Sequence, residues 1–87
     1  MKLKYNFAVR EIAEDFVLVP LGTAALKLSG MITTNAVGAF LWEQLMYETT
    51  VETMVKRLVE EFEVDDVTAA KDVQEFVSRL QELDLVE

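Results

Sequence analysis

The hydrophobic period changes once along the chain, and this change limits the folds that the chain can adopt. Between Phe7 and Val19 apolar residues alternate with polar ones or form a short β-branched run, which is typical of strands. From Asn35 onward they recur every three or four residues, as on one face of a helix. The sequence therefore predicts strands followed by helices, in a single domain over residues 1–87.

Three strands are predicted in the first part of the chain. They cover residues 7–12, 16–19 and 31–34. A polar break at residues 13–15 has the length of a hairpin loop, and Pro20 ends the second strand because proline has no amide donor. Residues 22–30 fit either a helical turn that Thr23 caps or part of a strand, and we interpret them as an irregular connection.

Three helices are predicted after the strands, each preceded by a side chain that can accept hydrogen bonds from free end amides. They begin near residues 35, 50 and 65 and end near residues 46, 62 and 83. Thr34 or Asn35 is the expected cap of the first helix. Thr49 and Glu52 have the spacing of a capping box for the second, and the acidic pair 65–66 favours the start of the third.

The third predicted helix has a broad apolar face. Its main stripe has the spacing 4-3-4-3 and consists of Ala69, Val73, Phe76, Leu80 and Leu83. Ala70 and Val77 widen the stripe, so that one shoulder of the helix exceeds what a small core covers. Beyond the helix, we expect Leu85 and Val86 to fold back onto the domain.

The composition argues against catalysis. The chain has no histidine and no cysteine, which removes the usual general base near neutral pH, the commonest metal ligand and the thiol nucleophile. Its three glycines, Gly22, Gly30 and Gly38, form no phosphate-binding loop. We interpret the many carboxylates as solvated helix faces and caps, and predict a protein that is not an enzyme and has no cofactor or metal.

Charge and hydropathy narrow the class of partner. The formal net charge is -8, and residues 49–87 hold eleven acidic and four basic side chains, which disfavours binding to nucleic acid. No apolar run approaches the ~20 residues of a membrane span, and the absence of cysteine fits a reducing, cytoplasmic location. A protein or peptide partner is therefore expected.

Three segments resemble the family of the pyrroloquinoline quinone biosynthesis protein D (PqqD), the peptide-recognition domain of pathways that modify ribosomally made peptides. They are residues 16–20, 34–43 and 72–80. The Asn-x-x-Gly-x-x-x-Trp-Glu pattern of the middle segment is the most specific, and the resemblance spans about residues 7–86. The chain departs from the family at Thr34, where Leu is frequent, and at Asp84, where Gly is frequent.

The resemblance implies an α+β, winged-helix-like fold, with a three-stranded antiparallel sheet followed by a three-helix bundle. It also implies a peptide chaperone, or RiPP recognition element, that binds a precursor's leader segment as an added strand and delivers it to a modifying enzyme. In this family that enzyme is often of the radical S-adenosylmethionine type. The peptide site that it implies comprises Gly30, Met31, Ile32, Thr33 and Thr34 on the strand edge and Val73, Phe76, Val77 and Leu80 on the third helix.

Alternatives remain at this stage. Core packing competes with peptide contact for each apolar residue of the third helix, and Trp42 is interpreted as core. A winged-helix fold also occurs in DNA-binding regulators, although the acidic third helix argues against that role. A third possibility is a structural subunit or homodimer that pairs through the broad face of the third helix.

Overall fold

The computed structural model describes residues 1–27 and 32–87. Its strands are β1 (Phe7–Ile12), β2 (Asp15–Pro20) and β3 (Ile32–Thr34), and its helices are α1 (Thr23–Lys27), α2 (Ala36–Gln44), α3 (Val51–Phe62) and α4 (Asp66–Glu82). The α+β arrangement, with an antiparallel sheet and a helical half, confirms the predicted fold class.

The connection between β2 and β3 differs from the prediction. Its first part forms the short helix α1, so the interpretation of residues 22–30 as irregular is wrong for Thr23–Lys27. Ala24 is buried on this helix, which packs against β2. Ala, Leu and Lys are strong helix formers, but a single turn is too short to be stable alone, and burial of Ala24 helps to stabilise it. The described residues thus contain four helices where three were predicted.

The sheet is a continuous antiparallel ribbon with the order β1-β2-β3. Ile12 pairs with Asp15, so the hairpin loop consists of Ala13 and Glu14 alone, one residue shorter than predicted. Ala13 has a φ of 57°, and a positive φ at the first central residue is characteristic of the primed turns that close two-residue hairpins. This turn follows the right-handed twist of the sheet, which explains why a two-residue loop is sufficient.

The cap of α3 is displaced by one residue from the predicted position. Thr50 is the N-cap, and its side chain accepts a hydrogen bond from the Thr53 amide at 3.2 Å. The predicted cap, Thr49, instead donates its own amide to the Met1 carbonyl at 2.9 Å. The long-range contact with the N-terminal segment therefore decides which of the two threonines begins the helix.

Asparagine and aspartate cap the other two long helices, and each belongs to the pair of residues predicted to supply the cap. Asn35 Oδ1 accepts a hydrogen bond from the Gly38 amide at 2.8 Å at the start of α2. Asp65 accepts one from the Thr68 amide at 2.7 Å at the start of α4. The hydrogen bonds from Thr68, first from its amide and then from its hydroxyl, lower the pKa of the Asp65 carboxyl.

Trp42 lies at the centre of the hydrophobic core, where the sheet meets the helices. Its ring is 1% exposed and makes edge-on contacts with Phe7, at 4.8 Å between centroids, and with Phe76, at 6.2 Å. The prediction that Trp42 belongs to the core is confirmed. The other fully buried large side chains are Leu18, Leu41, Leu45, Met54, Leu58, Leu85 and Val73.

The two ends of the chain meet beside the last turn of α4. Leu85 and Val86 are buried, which confirms that they fold back, and Val86 pairs with Leu3 in a single bridge. Lys4 Nζ donates a hydrogen bond to the Asp84 carboxylate at 2.6 Å, and this bond raises the pKa of Lys4. Asp84 has a φ of 58°, a left-handed conformation that favours glycine at the end of a helix.

Candidate functional site

A cleft of about 390 Å³ lies between β3 and α4. β3 is the last strand of the sheet, and no strand of the described ranges pairs with its outer edge. An unpaired edge presents free N–H and C=O groups that can bond an additional strand. The residues that line the cleft are Leu18, Ile32, Thr33, Thr34, Trp42, Phe76, Arg79, Leu80 and Leu83.

One wall of the cleft is the short edge strand. Antiparallel pairing with β2 places Ile32 opposite Leu18 and Thr33 opposite Val17. Ile32 is half-buried against the core, whereas Thr33 is exposed. The strand thus has one side chain anchored inside the fold and its outer backbone edge beside the cleft.

The other wall is one face of α4. Phe76, Arg79 and Leu80 of the helix and its C-cap residue Leu83 all line the cleft, and their spacing of three, four and seven residues places them on adjacent turns of one face. Phe76 is half-buried and Leu83 is 54% exposed. A large apolar side chain that remains exposed beside an open strand edge can contribute binding energy to a partner.

The structure divides the predicted peptide-site residues into three groups. Those that meet at the cleft are Ile32, Thr33, Thr34, Phe76 and Leu80. Val73 and Val77 do not line it; they are 0% and 4% exposed and pack in the core on another side of the helix. Gly30 and Met31 lie outside the described residues.

This division shows which shoulder of α4 faces the cleft. The buried residues of the helix are Ala69, Val73, Val77 and Leu80, so the core stripe runs through Val77 and not through Phe76. The predicted stripe combined the two faces, because both spacings fit a helical period. Phe76 and Leu83 lie outside this core stripe and line the cleft.

Sequence reasoning missed four of the lining residues, namely Leu18, Trp42, Arg79 and Leu83. Leu83 was in the predicted stripe, and its place at the end of that stripe was a usable signal. Arg79 lies three residues after Phe76, which places it on the same helical face. Leu18 and Trp42 had no comparable signal, because the sequence pattern of a core residue that also lines a cleft is the same as that of any other core residue.

Gly38 allows α2 to approach the end of β3 closely. A Cβ atom at this position would overlap Thr34 Oγ1 and lie 3.1 Å from Thr34 Cβ. The Gly38 amide also completes the cap of α2 by donating to Asn35. Any side chain at this position would have to displace Thr34, so glycine allows α2 to pack closely against the last residue of the edge strand.

We expect Gly38→Ala to destabilise the fold by about 1–2 kcal/mol, because overpacking outweighs the ~1 kcal/mol that alanine gains in helix propensity. Urea unfolding followed by circular dichroism measures this change. Thr34→Ala in the same chain should recover part of the loss, since it removes the overlapping hydroxyl. An unchanged free energy of unfolding for Gly38→Ala would contradict the proposed close contact.

A larger hollow, of about 620 Å³, lies at the junction of α2 and α3. Charged and polar side chains such as Glu43, Glu48 and Arg57 line much of it, and it has no open strand edge. Its greater volume does not make it the better candidate for a peptide site. Among the hollows in the described part of the chain, only the β3–α4 cleft combines an unpaired strand edge with an apolar wall.

Neither a metal-binding cluster nor a membrane-spanning helix occurs within residues 1–27 and 32–87. In these ranges no group of three or more acidic, histidine or cysteine side chains is arranged to hold a metal ion. No helix there has the length and apolar character needed to cross a membrane.

Together, the antiparallel sheet, the helical half and the open edge beside α4 define a small winged-helix-like domain that can accept an added strand. The chain belongs to the PqqD family. The family model described as "Coenzyme PQQ synthesis protein D (PqqD)" matches residues 9–86. The resemblance seen in the three sequence segments is thereby confirmed.

A solved structure supports the same assignment. The chain is similar to TbiB1, whose structure was determined in complex with the TbiA(beta) leader peptide. The two are 26% identical, with a TM-score of 0.71 over 100% of this chain and 95% of TbiB1. A comparison with curated protein sequences found no significant match to this chain.

Proposed function

We propose that this protein is a non-catalytic adaptor that binds the leader segment of a ribosomally made precursor peptide and delivers it to a modifying enzyme. The observation that carries the proposal is the unpaired edge of β3 beside the apolar wall of α4. Membership of the PqqD family and the likeness to TbiB1, whose complex contains a leader peptide, support it.

The bound peptide adds to the sheet as a fourth strand. Its backbone N–H and C=O groups bond the outer edge of β3, which supplies affinity without regard to sequence. Its alternate side chains point toward α4, where Phe76, Leu80 and Leu83 offer apolar contact. Selectivity then depends on how those side chains fill the cleft.

The role that follows is delivery in the cytoplasm, with the chemistry done elsewhere. The chain has no histidine and no cysteine, and the groups that line the cleft are one guanidinium, two hydroxyls and apolar side chains. The modifying enzyme supplies the reaction, and a radical S-adenosylmethionine enzyme is the type of partner proposed for this family member. A homodimer is compatible with peptide capture but is not required for it.

The test uses substitutions that leave the core intact. Peptides of 12 random residues are selected by display on the immobilised protein, and their affinities are measured by the fluorescence of Trp42, the single tryptophan, which borders the cleft. We expect Leu83→Gln to weaken binding about tenfold, which corresponds to loss of ~1.4 kcal/mol of apolar contact.

Val67→Gln is the matched control, because Val67 is an 80% exposed apolar residue on the same helix and does not line the cleft. Its affinity for the selected peptides should equal that of the wild type. If Leu83→Gln and Val67→Gln bind all selected peptides equally well, the peptides do not occupy this cleft and the proposal is wrong.

A further inference from the structure

Arg79 is the charged residue among the nine described residues that line the cleft. It lies on α4 three residues after Phe76 and four before Leu83, so apolar cleft residues stand on both sides of it. It also borders a hollow on the outer surface of α4, which Glu75 and Glu82 line with it, and another between α2 and α4. Arg79 therefore lies at the rim of the cleft. A cation at the rim can contact the part of a ligand that extends beyond the apolar part of the cleft.

The Arg79 guanidinium has no ion-pair partner among the described residues. The two ion pairs found there join the Met1 amino group to Glu48 and Lys4 to Asp84. Glu75 and Glu82 are close to Arg79 in sequence, but neither pairs with it and neither lines the cleft. The five donors of the guanidinium also form no side-chain hydrogen bond within the described ranges, so a ligand that reaches the rim can accept from them.

An arginine in this position favours one kind of ligand group. Its planar fork of donors matches a carboxylate, which it can bind with two parallel hydrogen bonds. The protein as a whole carries a net charge of -8, and its long-range field favours basic ligands. A preference for an acidic residue at one position would therefore have to arise locally, at Arg79.

The geometry of α4 also sets a spacing. Arg79 and Leu83 are separated by four residues, or ~6 Å along the helix axis. Alternate residues of an extended strand are ~7 Å apart and point to the same side. One side chain of the peptide can thus reach Arg79 while the next on the same side packs on Leu83.

We infer that Arg79 selects an acidic residue in the bound peptide, two positions from an apolar residue that packs against Leu83. This inference rests on the proposed function, because it assigns a sequence preference to the same peptide-binding cleft. Arg79 is a specificity residue in this account, and the apolar wall and the strand edge supply most of the affinity.

The test is a comparison of peptides selected by display from a library of random 12-residue sequences. On the wild type, we expect Asp or Glu to be enriched two positions from an apolar residue. On Arg79→Glu, the same position should lose its acidic residues and gain Lys or Arg. Arg57→Gln, which removes a cation from the exposed surface of α3, should leave the wild-type preference unchanged.

A double-mutant cycle measures the contact directly. Replacing the acidic residue of a selected peptide with its amide should weaken binding to the wild type about tenfold, as expected for a charge-assisted hydrogen bond. The same replacement should have no effect on binding to Arg79→Gln, and Arg79→Lys should restore part of the preference. Added salt should reduce the tenfold difference, because the rim is exposed.

The outcomes separate the two proposals. Selected peptides that are weakened by Leu83→Gln but show no acidic preference would overturn the role of Arg79 and leave the peptide-binding function standing. Selected peptides that are insensitive to Leu83→Gln would overturn the function itself. Thermal unfolding of each variant confirms that the compared proteins are folded.

Discussion

Replacement of Trp42 with alanine is expected to destabilise the protein by about 3–5 kcal/mol, the range found for truncating a buried aromatic residue. Trp42 is 1% exposed and contacts Phe7 and Phe76 edge-on, so its loss leaves a large cavity between the sheet and α4. Small domains are stable by only about 5–15 kcal/mol in total. Urea unfolding followed by circular dichroism measures the loss.

The same substitution should also abolish peptide binding, because Trp42 borders the cleft. Since this variant has no tryptophan, its affinity and that of its control are measured by the fluorescence polarisation of a dye-labelled selected peptide. Leu58→Ala is the control for a purely structural effect, since Leu58 is equally buried on α3 but does not line the cleft. We expect Leu58→Ala to cost about 2–5 kcal/mol and to leave the peptide affinity of the folded protein unchanged. Equal peptide affinity for Trp42→Ala and Leu58→Ala would show that Trp42 does not belong to the peptide site.

Proline in β3 is expected to weaken peptide binding by about 10- to 100-fold, because it removes a backbone donor and places its ring at the edge. Successive residues of a strand direct their amides to opposite edges. One of Ile32 and Thr33 therefore donates toward β2 and the other donates outward. Binding should be lost in the variant whose outward amide is removed, while its fold persists.

The second proline variant distinguishes the two edges. Removing the donor that faces β2 should destabilise the sheet by about 1–3 kcal/mol, which thermal unfolding detects. Thr33→Ala, which keeps the amide, controls for loss of the threonine side chain. If Ile32→Pro and Thr33→Pro both remain folded and bind selected peptides as the wild type does, strand addition at β3 is excluded.

Helix ends were predicted best where the cap acts locally. Asn35 and Asp65 cap their helices because a side-chain oxygen reaches an amide three residues later, a contact set by the chain itself. The capping-box spacing that pointed to Thr49 was misleading, because a hydrogen bond to Met1 from 48 residues away decided between Thr49 and Thr50.

The cleft was only partly predictable for a related reason. Helical periodicity shows that α4 has a broad apolar surface, but Phe76 and Val77 are both compatible with it. The packing of α3 against α4 decides that Val77 is buried and that Phe76 and Leu83 line the cleft. The role of Arg79 likewise depends on which face of the helix meets β3.

By itself, the sequence determined the order of strands and helices, the β1–β2 hairpin, the absence of histidine and cysteine chemistry, and a surplus of apolar surface on the last helix. These properties depend on composition and on contacts between near neighbours in the chain. Only the tertiary structure decided that the surplus lies beside the unpaired edge of β3, because the residues concerned are about 40–50 positions apart. No local sequence pattern indicates which distant part of the chain a helix will pack against.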